Sequence, residues 1–381
     1  MADRESKKRS EKSRGPTKDV PSTQDTSRDS FLEILEDLKK IGSPSDIGAK
    51  EDGIESESIA LDYALGGIGV PRGLFTTITG QQDVGKSITS MMYARSASLK
   101  GLRVAIINRE GRWPVGFAEK SGMGKPNRDY LMIYPEDAES TCEAIRLLAD
   151  RQFDICILES IAALAPGAEI SGEFKAQHVG LLPRIMSKFF RDAVLEVRAS
   201  NMAVIMTNQI REKIGVVYGS PDVAPGGRAK DFYASVDIRL SSPVREYAIK
   251  AGKDERYEQI GATIQGYTKK SIGINHREIK YSVRFDPGLH CDLASEVMDF
   301  GLRLGIYTLK SGEVKRTAGG GWVYDGVELG STSNEAHANL AGNPDLLLSL
   351  SEGIRQIVRT GAIIAPIKKR EDGDNDNPNE E

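Results

Sequence analysis

Cysteine, histidine and tryptophan are scarce in this chain of 381 residues, with three, four and two copies. The thiols Cys142, Cys156 and Cys291 stand far apart and show no metal-ligand spacing. That argues against a disulfide framework or a zinc module and suits reduced core packing in a cytoplasmic protein. Long apolar runs are missing as well. Nothing approaches the roughly 18 residues of a membrane span, so no membrane partner is expected. The opening Met-Ala-Asp-Arg-Glu-Ser-Lys-Lys-Arg has no apolar stretch behind it and does not read as a secretory signal. Positive charge is not in excess either. Lys and Arg number 51 against 55 Asp and Glu, a net of −4, so any hold on nucleic acid must come from local basic patches.

What is present begins at Gly80-Gln81-Gln82-Asp83-Val84-Gly85-Lys86-Ser87, which matches G-x-x-x-x-G-K-[ST]. Leu74 to Thr79 alternates apolar and Thr residues as a strand would. Ser87 to Lys100 has helical spacing and stops at Gly101. Glycines let backbone N–H groups curl around phosphates, and a helix N-terminus adds partial positive charge. Lys86 is expected to reach the β- and γ-phosphates, and Ser87 to hold Mg²⁺. The implied cofactors are a nucleoside triphosphate and Mg²⁺.

The length allows about two to three domains. Residues 1–28 carry almost no apolar side chains and read as a disordered arm. Residues 29–53 hold a short amphipathic helix, opened by the capping pattern from Ser30 and carrying Phe31, Ile34, Leu35, Leu38 and Ile41, followed by a linker. From 54 to 285 strands alternate with helices, the signature of an α/β core with a mostly parallel sheet. Strands are expected at Phe75–Thr79, Arg103–Asn108, Tyr130–Tyr134, Asp154–Leu158, Ala203–Thr207 and Asp237–Leu240, and helices over 86–100, 137–151 and 178–199. Residues 286–366 break into shorter elements, Leu293–Leu304, a Trp322/Tyr324 strand pair and Ser349–Val358, and read as a small α+β domain. Residues 367–381 form an acidic tail.

Ligands of open parallel sheets sit at the carboxyl ends of the strands, which singles out three side chains. Glu110 follows the second strand, where a carboxylate can activate an attacking water. Glu159 follows Asp154-Ile155-Cys156-Ile157-Leu158, the Walker B arrangement that holds Mg²⁺ or its waters. Gln209 follows the fifth strand, where a neutral amide can sense a γ-phosphate without competing for metal. Two loops stand out as well. One runs from Pro166 to Gly180, with Glu169, Gly172, Lys175 and His178. The other, from Glu212 to Gly227, is read as neither strand nor helix. It is flanked by Arg211 and Arg228, includes Lys213, Tyr218, Gly226 and Gly227, and is rich in glycine and proline. Long loops inside compact domains are usually functional, and basic residues with an aromatic suit a nucleic-acid backbone. Lys269-Lys270 follow a possible edge strand.

Leu61-Asp62-Tyr63-Ala64-Leu65-Gly66 ahead of the P-loop, Glu159-Ser160-Ile161-Ala162-Ala163-Leu164, Asn208-Gln209-Ile210-Arg211-Glu212-Lys213-Ile214-Gly215-Val216, and Gly226-Gly227-Arg228-Ala229-Lys230-Asp231-Phe232-Tyr233 occur in this order. Together they resemble the bacterial RecA recombinase family, phage-encoded relatives included, over about residues 30 to 350. The last two stretches are far more specific than the P-loop. The resemblance implies a RecA-like core and an ATP-bound helical filament, a homo-oligomer on single-stranded DNA. Such a filament pairs that strand with homologous double-stranded DNA and exchanges strands, with DNA-stimulated ATP hydrolysis. Mediator or single-strand-binding proteins are possible partners.

Carried onto this chain, the resemblance makes Glu110 the hydrolytic base and Gln209 the γ-phosphate sensor. Residues 169–180 and 211–228 become the two DNA loops, with Arg184 a basic residue close to the first. Phe117 falls where an aromatic packs on the adenine. The Phe31–Ile41 helix would dock on the adjacent protomer. Lys269 or Lys270, in a register left open, would reach the neighbour's γ-phosphate. Glu159 in place of the family's Asp, Asn108 near Glu110, and Arg112-Trp113-Pro114 at the nucleotide edge are departures that mark a divergent member. Two rivals share the P-loop: a ring-forming ATPase such as a hexameric helicase, and a DNA-coating protein with a vestigial site.

Overall fold

The computed structural model describes residues 52–171, 180–212, 222–223, 225–227, 229–250, 256–271, 277–286, 288–305, 322–324 and 327–360. The expected Phe31–Ile41 helix and the terminal arm and tail lie outside them.

A short antiparallel pair, β1 (Gly53–Ile54) with β2 (Val70–Pro71), brackets helix α1 (Ile59–Ala64). The central sheet starts with β3 (Phe75–Gly80), β4 (Val104–Asn108), β5 (Leu131–Ile133), β6 (Ile155–Glu159) and β7 (Ala203–Gln209). Helices α2 (Lys86–Leu99), α3 (Val115–Lys120), α4 (Ala138–Asp150), α5 (Gly167–Ser171) and α6 (Leu181–Ser200) fall between these strands. The first five expected strands and the three helices expected between them are present within a few residues of their predicted ends, whereas the strand expected at Asp237–Leu240 runs on to Lys250. Sequence-distant β3 and β7 are neighbours, with Gly80 opposite Gln209, and Asn108 on β4 stands opposite Glu159 on β6. Side-chain parity divides the core. Ile106, Ile157 and Ile205 face the layer holding α2, while Ile107, Leu158 and Met206 face α4 and α6. Burial on both faces is why these strands read as unbroken apolar runs.

The second half of the sheet is antiparallel. After the short ladder of β8 (Arg211–Glu212) and β9 (Asp222–Val223) comes α7 (Ala229–Tyr233). Strands β10 (Val236–Lys250) and β11 (Arg256–Lys270) then form a long hairpin, followed by β12 (Glu278–Arg284) and β13 (His290–Cys291). The order across the sheet is β13-β12-β11-β10-β3-β7-β6-β4-β5. The sheet therefore runs past the boundary expected at residue 285. Three sequence expectations are corrected here. Lys269 and Lys270 end a strand inside the sheet, between β10 and β12, where the sequence suggested an edge. The stretch taken as structureless from Glu212 starts as a β ladder, because Arg211 and Glu212 pair with Val223 and Asp222. Within the first loop, Gly167–Ser171 is helical.

A third cluster joins Ile59 of α1 to α8 (Leu293–Leu304), the pair β14 (Trp322–Tyr324) and β15 (Val327–Gly330), α9 (Ser333–Ala341) and α10 (Pro344–Arg359). Helix α9 carries only Ala336 and Leu340 as buried residues, too sparse a stripe to show in the sequence. Among the described residues no helix is long and apolar enough to cross a membrane.

Candidate nucleotide site and nucleic-acid loops

Strand β3 ends at Gly80, and the chain turns through Asp83 (φ 58) and Gly85 (φ 98) into α2. The glycine at 85 is required twice over. Its φ is left-handed, and a Cβ there would lie 2.7 Å from Ile264 Cδ1 of β11. The loop therefore rests on the hairpin, while Gln81, Gln82, Asp83 and Ser87 stay open to solvent. Lys86 is 8% exposed and donates to the carbonyls of Gly80 (3.3 Å) and Gln81 (2.5 Å). Burial lowers its pKa, opposed by the carboxylates of Glu110, Glu159 and Asp83. A buried ammonium held only by carbonyls is suited to an incoming phosphate.

Glu159 is the last residue of β6 and is 4% exposed. Its carboxylate accepts from three hydroxyls: Ser87 Oγ at 3.1 Å, Ser90 Oγ at 2.5 Å and Thr207 Oγ1 at 3.0 Å. Burial raises its pKa, and those hydroxyls pull it back. Ser87 and Glu159 thus meet at one point, as a shared Mg²⁺ site demands. Among the described residues no group of three or more His, Cys, Asp or Glu could cage a metal. One carboxylate and one hydroxyl, completed by phosphate and water oxygens, is the donor set Mg²⁺ prefers. The residues present fit the ion.

Glu110 follows β4, where its backbone N–H donates to Glu159 O at 3.1 Å and its Oε1 accepts from Ser160 Oγ. Gln209 ends β7, and Ile210 N donates to Gly80 O at 3.0 Å, which ties that strand end to the P-loop. Lys86, Ser87, Glu110, Glu159 and Gln209 all line one open cleft of 790 Å³. Sequence reasoning had named all five. Arg112, named at the nucleotide edge, lines the cleft too, but Arg109 beside Glu110, Arg245 and Gln259 on the hairpin, and Phe285 after β12 were missed. Phe117 does not line the cleft. It is half-buried and meets Phe285 edge-on, with ring centroids 5.9 Å apart, so Phe285 is the aromatic that faces the nucleotide space.

Gly226 and Gly227 pack against protein. Both have positive φ, Gly226 is buried, and a Cβ on it would stand 2.7 Å from Ile161 Cγ2. A Cβ on Gly227 would meet Pro183 Cβ at 3.0 Å. These glycines anchor the second loop on the segment after Glu159 and on α6, facing protein. Asn208 Nδ2 donates to Pro225 O at 3.0 Å and holds the same loop end to β7. Glu169 and Arg184 are exposed, on α5 and in the first turn of α6. Arg211 lies in β8. Gly172, Lys175, His178, Lys213, Tyr218 and Arg228 lie outside the described residues.

The two lysines differ. Lys270 Nζ donates to the carbonyls of Asp231, Phe232 and Ala234, capping α7. Lys269 is more than half exposed, with Asp237 Oδ2 at 3.7 Å. Asp237 pairs with Lys270 on one side and with Thr77 on the other. Both lysines thus sit near the start of β3, about 10 Å short of its end at Gly80 by strand rise. The P-loop lies beyond that end. Neither lysine lines the cleft of its own subunit.

A phosphate-cradling loop at the end of a parallel strand, with an acid at the tip of β6, two strands along the same sheet, defines a P-loop nucleotide-binding α/β protein. The order of its parts narrows the class. A family model described as the RecA N-terminal domain matches residues 37–290. Protein RecA of Thermus thermophilus is 34% identical over 300 residues, covering 78% of this chain and 82% of that protein. Protein RecA of Pseudomonas fluorescens is 31% identical over 318 residues, 83% and 85% of the two chains. That of Ehrlichia chaffeensis is 30% identical over 312 residues, 81% and 82%. The chain belongs to the RecA family, which binds ATP and DNA and serves DNA recombination and repair.

Proposed function

We propose that the chain is an ATP-driven homologous recombinase, which assembles head to tail on single-stranded DNA, pairs it with homologous duplex and exchanges strands. The observation carrying this reading is the split between the two ends of the sheet. The cleft brings together Lys86, Ser87, Glu110, Glu159 and Gln209, while Lys269 and Lys270 stand at the other end. A second copy, stacked so that its lysine end meets this cleft, completes the site. A repeated heterologous contact of that kind builds an open helix when its rotation does not close into a ring, and the open helix is the form proposed here.

Within the site, Glu110 is placed to take a proton from the attacking water. Ser160 donates to Oε1, which orients the carboxylate and leaves Oε2 for the water. Lys86 leaves its carbonyl partners to pair with the β- and γ-phosphates. Ser87 and Glu159 would hold Mg²⁺ with ATP, and the ion would supply positive charge to offset the negative charge developing on the phosphates. Gln209 hydrogen-bonds the γ-phosphate and ends the strand that leads into the second loop. Asn208, next to it, grips that loop's far end, so nucleotide state and loop position share one strand tip. Phe285, with Phe117 against its edge, supplies an apolar wall for the base. Residues 169–180 and 211–228 supply the DNA surface, with Gly226 and Gly227 anchoring the second loop, and the elements from α8 onward form a small appended module. The cell compartment that fits this activity is the cytoplasm.

Strand exchange between circular single-stranded and linear duplex DNA tests the reading, with Lys86→Ala as the control. Joint molecules and nicked circles formed only with ATP and the unmodified chain are expected. ATP hydrolysis without either product would remove the recombinase assignment.

A further inference from the structure

Strand β10 is hydrogen-bonded to β3 only from Val236 to Arg239, opposite Thr76 to Thr79. There β3 ends and the P-loop turns away, but β10 continues to Lys250 on its ladder with β11. The overhanging part of the hairpin therefore flanks the P-loop at the side of the cleft, with Ile264 against Gly85. Residues paired directly on adjacent strands share a face. Arg245 pairs with Ala262, and both line the cleft together with Pro243, Gln259 and Ile264. The next residue, Glu246, points to the opposite face, where Arg284 Nη1 holds it at 2.5 Å.

Arg245 is exposed, and its Nη2 donates to the carbonyl of Asp83 in the P-loop at 3.4 Å. Among the described residues no carboxylate pairs with it. A guanidinium has five donors in a fixed fork matched to phosphate oxygens. This one spends a single long bond on the very loop that cradles the phosphates. The hairpin beneath it is fixed by the Ile264–Gly85 contact already described.

We infer that Arg245, presented by the overhanging β10–β11 hairpin, is a nucleotide-binding residue that holds the polyphosphate of ATP or ADP from beside the P-loop, within the same subunit. The inference rests on the nucleotide-site reading above. It differs from the part given to Lys269, which needs a neighbour: Arg245 acts in an isolated protomer.

The test is titration of the chain, without DNA, with a fluorescent N-methylanthraniloyl-ADP in the presence of Mg²⁺. Loss of a charge-assisted hydrogen bond predicts an affinity about tenfold weaker for Arg245→Ala, with most of it restored in Arg245→Lys. Thermal unfolding of both variants should match that of the unmodified chain, as for an exposed side chain. An ADP affinity in Arg245→Ala equal to that of the unmodified chain would overturn the inference, as would equal losses in the Ala and Lys variants. Lys86→Ala separates the two levels. If the unmodified chain binds ADP and Lys86→Ala does not, the nucleotide site stands whatever Arg245 does. If the unmodified chain fails to bind, the site reading itself fails.

Discussion

Mixing two inactive variants tests whether the hydrolytic site spans two subunits. Lys86→Ala destroys the P-loop half of a site and leaves Lys269 in place. Lys269→Ala does the reverse, and it removes only an exposed side chain whose nearest partner is 3.7 Å away. The second change should therefore move stability by less than about 0.5 kcal/mol. Removing a preorganised cation from a developing charge is expected to lower DNA-stimulated ATP hydrolysis on the order of a hundred- to a thousand-fold. Lys270→Ala makes the contrast. It takes away three carbonyl contacts at the end of α7, a loss of about 1 kcal/mol of stability. In a head-to-tail assembly each site takes its P-loop from one copy and its lysine from the next. An equal, random mixture puts an intact P-loop beside an intact lysine at about one site in four. The mixture should then recover about one quarter of the unmodified rate on single-stranded DNA, although each variant alone is inactive. A steady-state phosphate-release assay across mixing ratios reads this directly, and recovery should peak at equal amounts. Activity no greater than the average of the two variants, in assemblies shown by light scattering to contain both, would refute completion of the site by a neighbour.

Three further outcomes follow from the same geometry. Glu159→Gln keeps the shape that accepts from Ser87 and Thr207 but loses the charge; ATP hydrolysis should fall at least about a hundredfold, and full DNA-stimulated activity would end the metal role. Gly226→Ala forces a side chain into a left-handed turn 2.7 Å from Ile161 and should cost about 1–3 kcal/mol. Its single-strand affinity, measured by fluorescence anisotropy, should drop, and an unchanged affinity would show that the loop end is not held there. Glu296 gives a pH effect. It is 6% exposed and accepts from Ser58 Oγ (2.6 Å), Ala60 N (3.1 Å) and Cys291 Sγ (3.3 Å), and burial lifts its pKa from 4.5 to about 7. The folded carboxyl keeps its proton to higher pH than the unfolded one. Its contribution is thus complete below pH 4.5 and is lost as pH rises through 7, by about 3 kcal/mol. Urea unfolding between pH 5 and 8 should show stability falling with pH, and Glu296→Gln should flatten that slope; an identical slope in the variant would exclude Glu296 as its source.

The legible parts of this protein are those whose physics is local. Strands β4, β6 and β7 are buried on both faces, so their apolar runs announce them. A parallel strand must deliver its ligand at its carboxyl end, which is why Glu110, Glu159 and Gln209 could be named before any pairing was known. The P-loop needs only its own glycines and the helix that follows. The antiparallel half has no such signal. Residues 236–270 mix charged, glycine and aromatic positions, and the ladder slips between Ser241 and Val244, at Pro243. A run with a slipped register keeps no clean alternation, and the hairpin was seen only as two fragments. Arg245, Gln259 and Phe285 were lost with it. The resemblance pointed to Phe117, whereas Phe285 reaches the cleft only through the β11–β12 ladder, which the sequence does not announce. The hydroxyls of Ser90, Ser160 and Thr207 are small polar groups without a periodic mark, and only the fold gathers them around two carboxylates. Lys269 and Lys270 show the same limit most sharply. Adjacent in sequence and equal in charge, they end the same strand, yet alternation sends one into the carbonyls of α7 and the other into solvent. What separates a structural lysine from one free to serve a neighbour is the direction of a single Cβ, set by pairing with a strand thirty residues earlier.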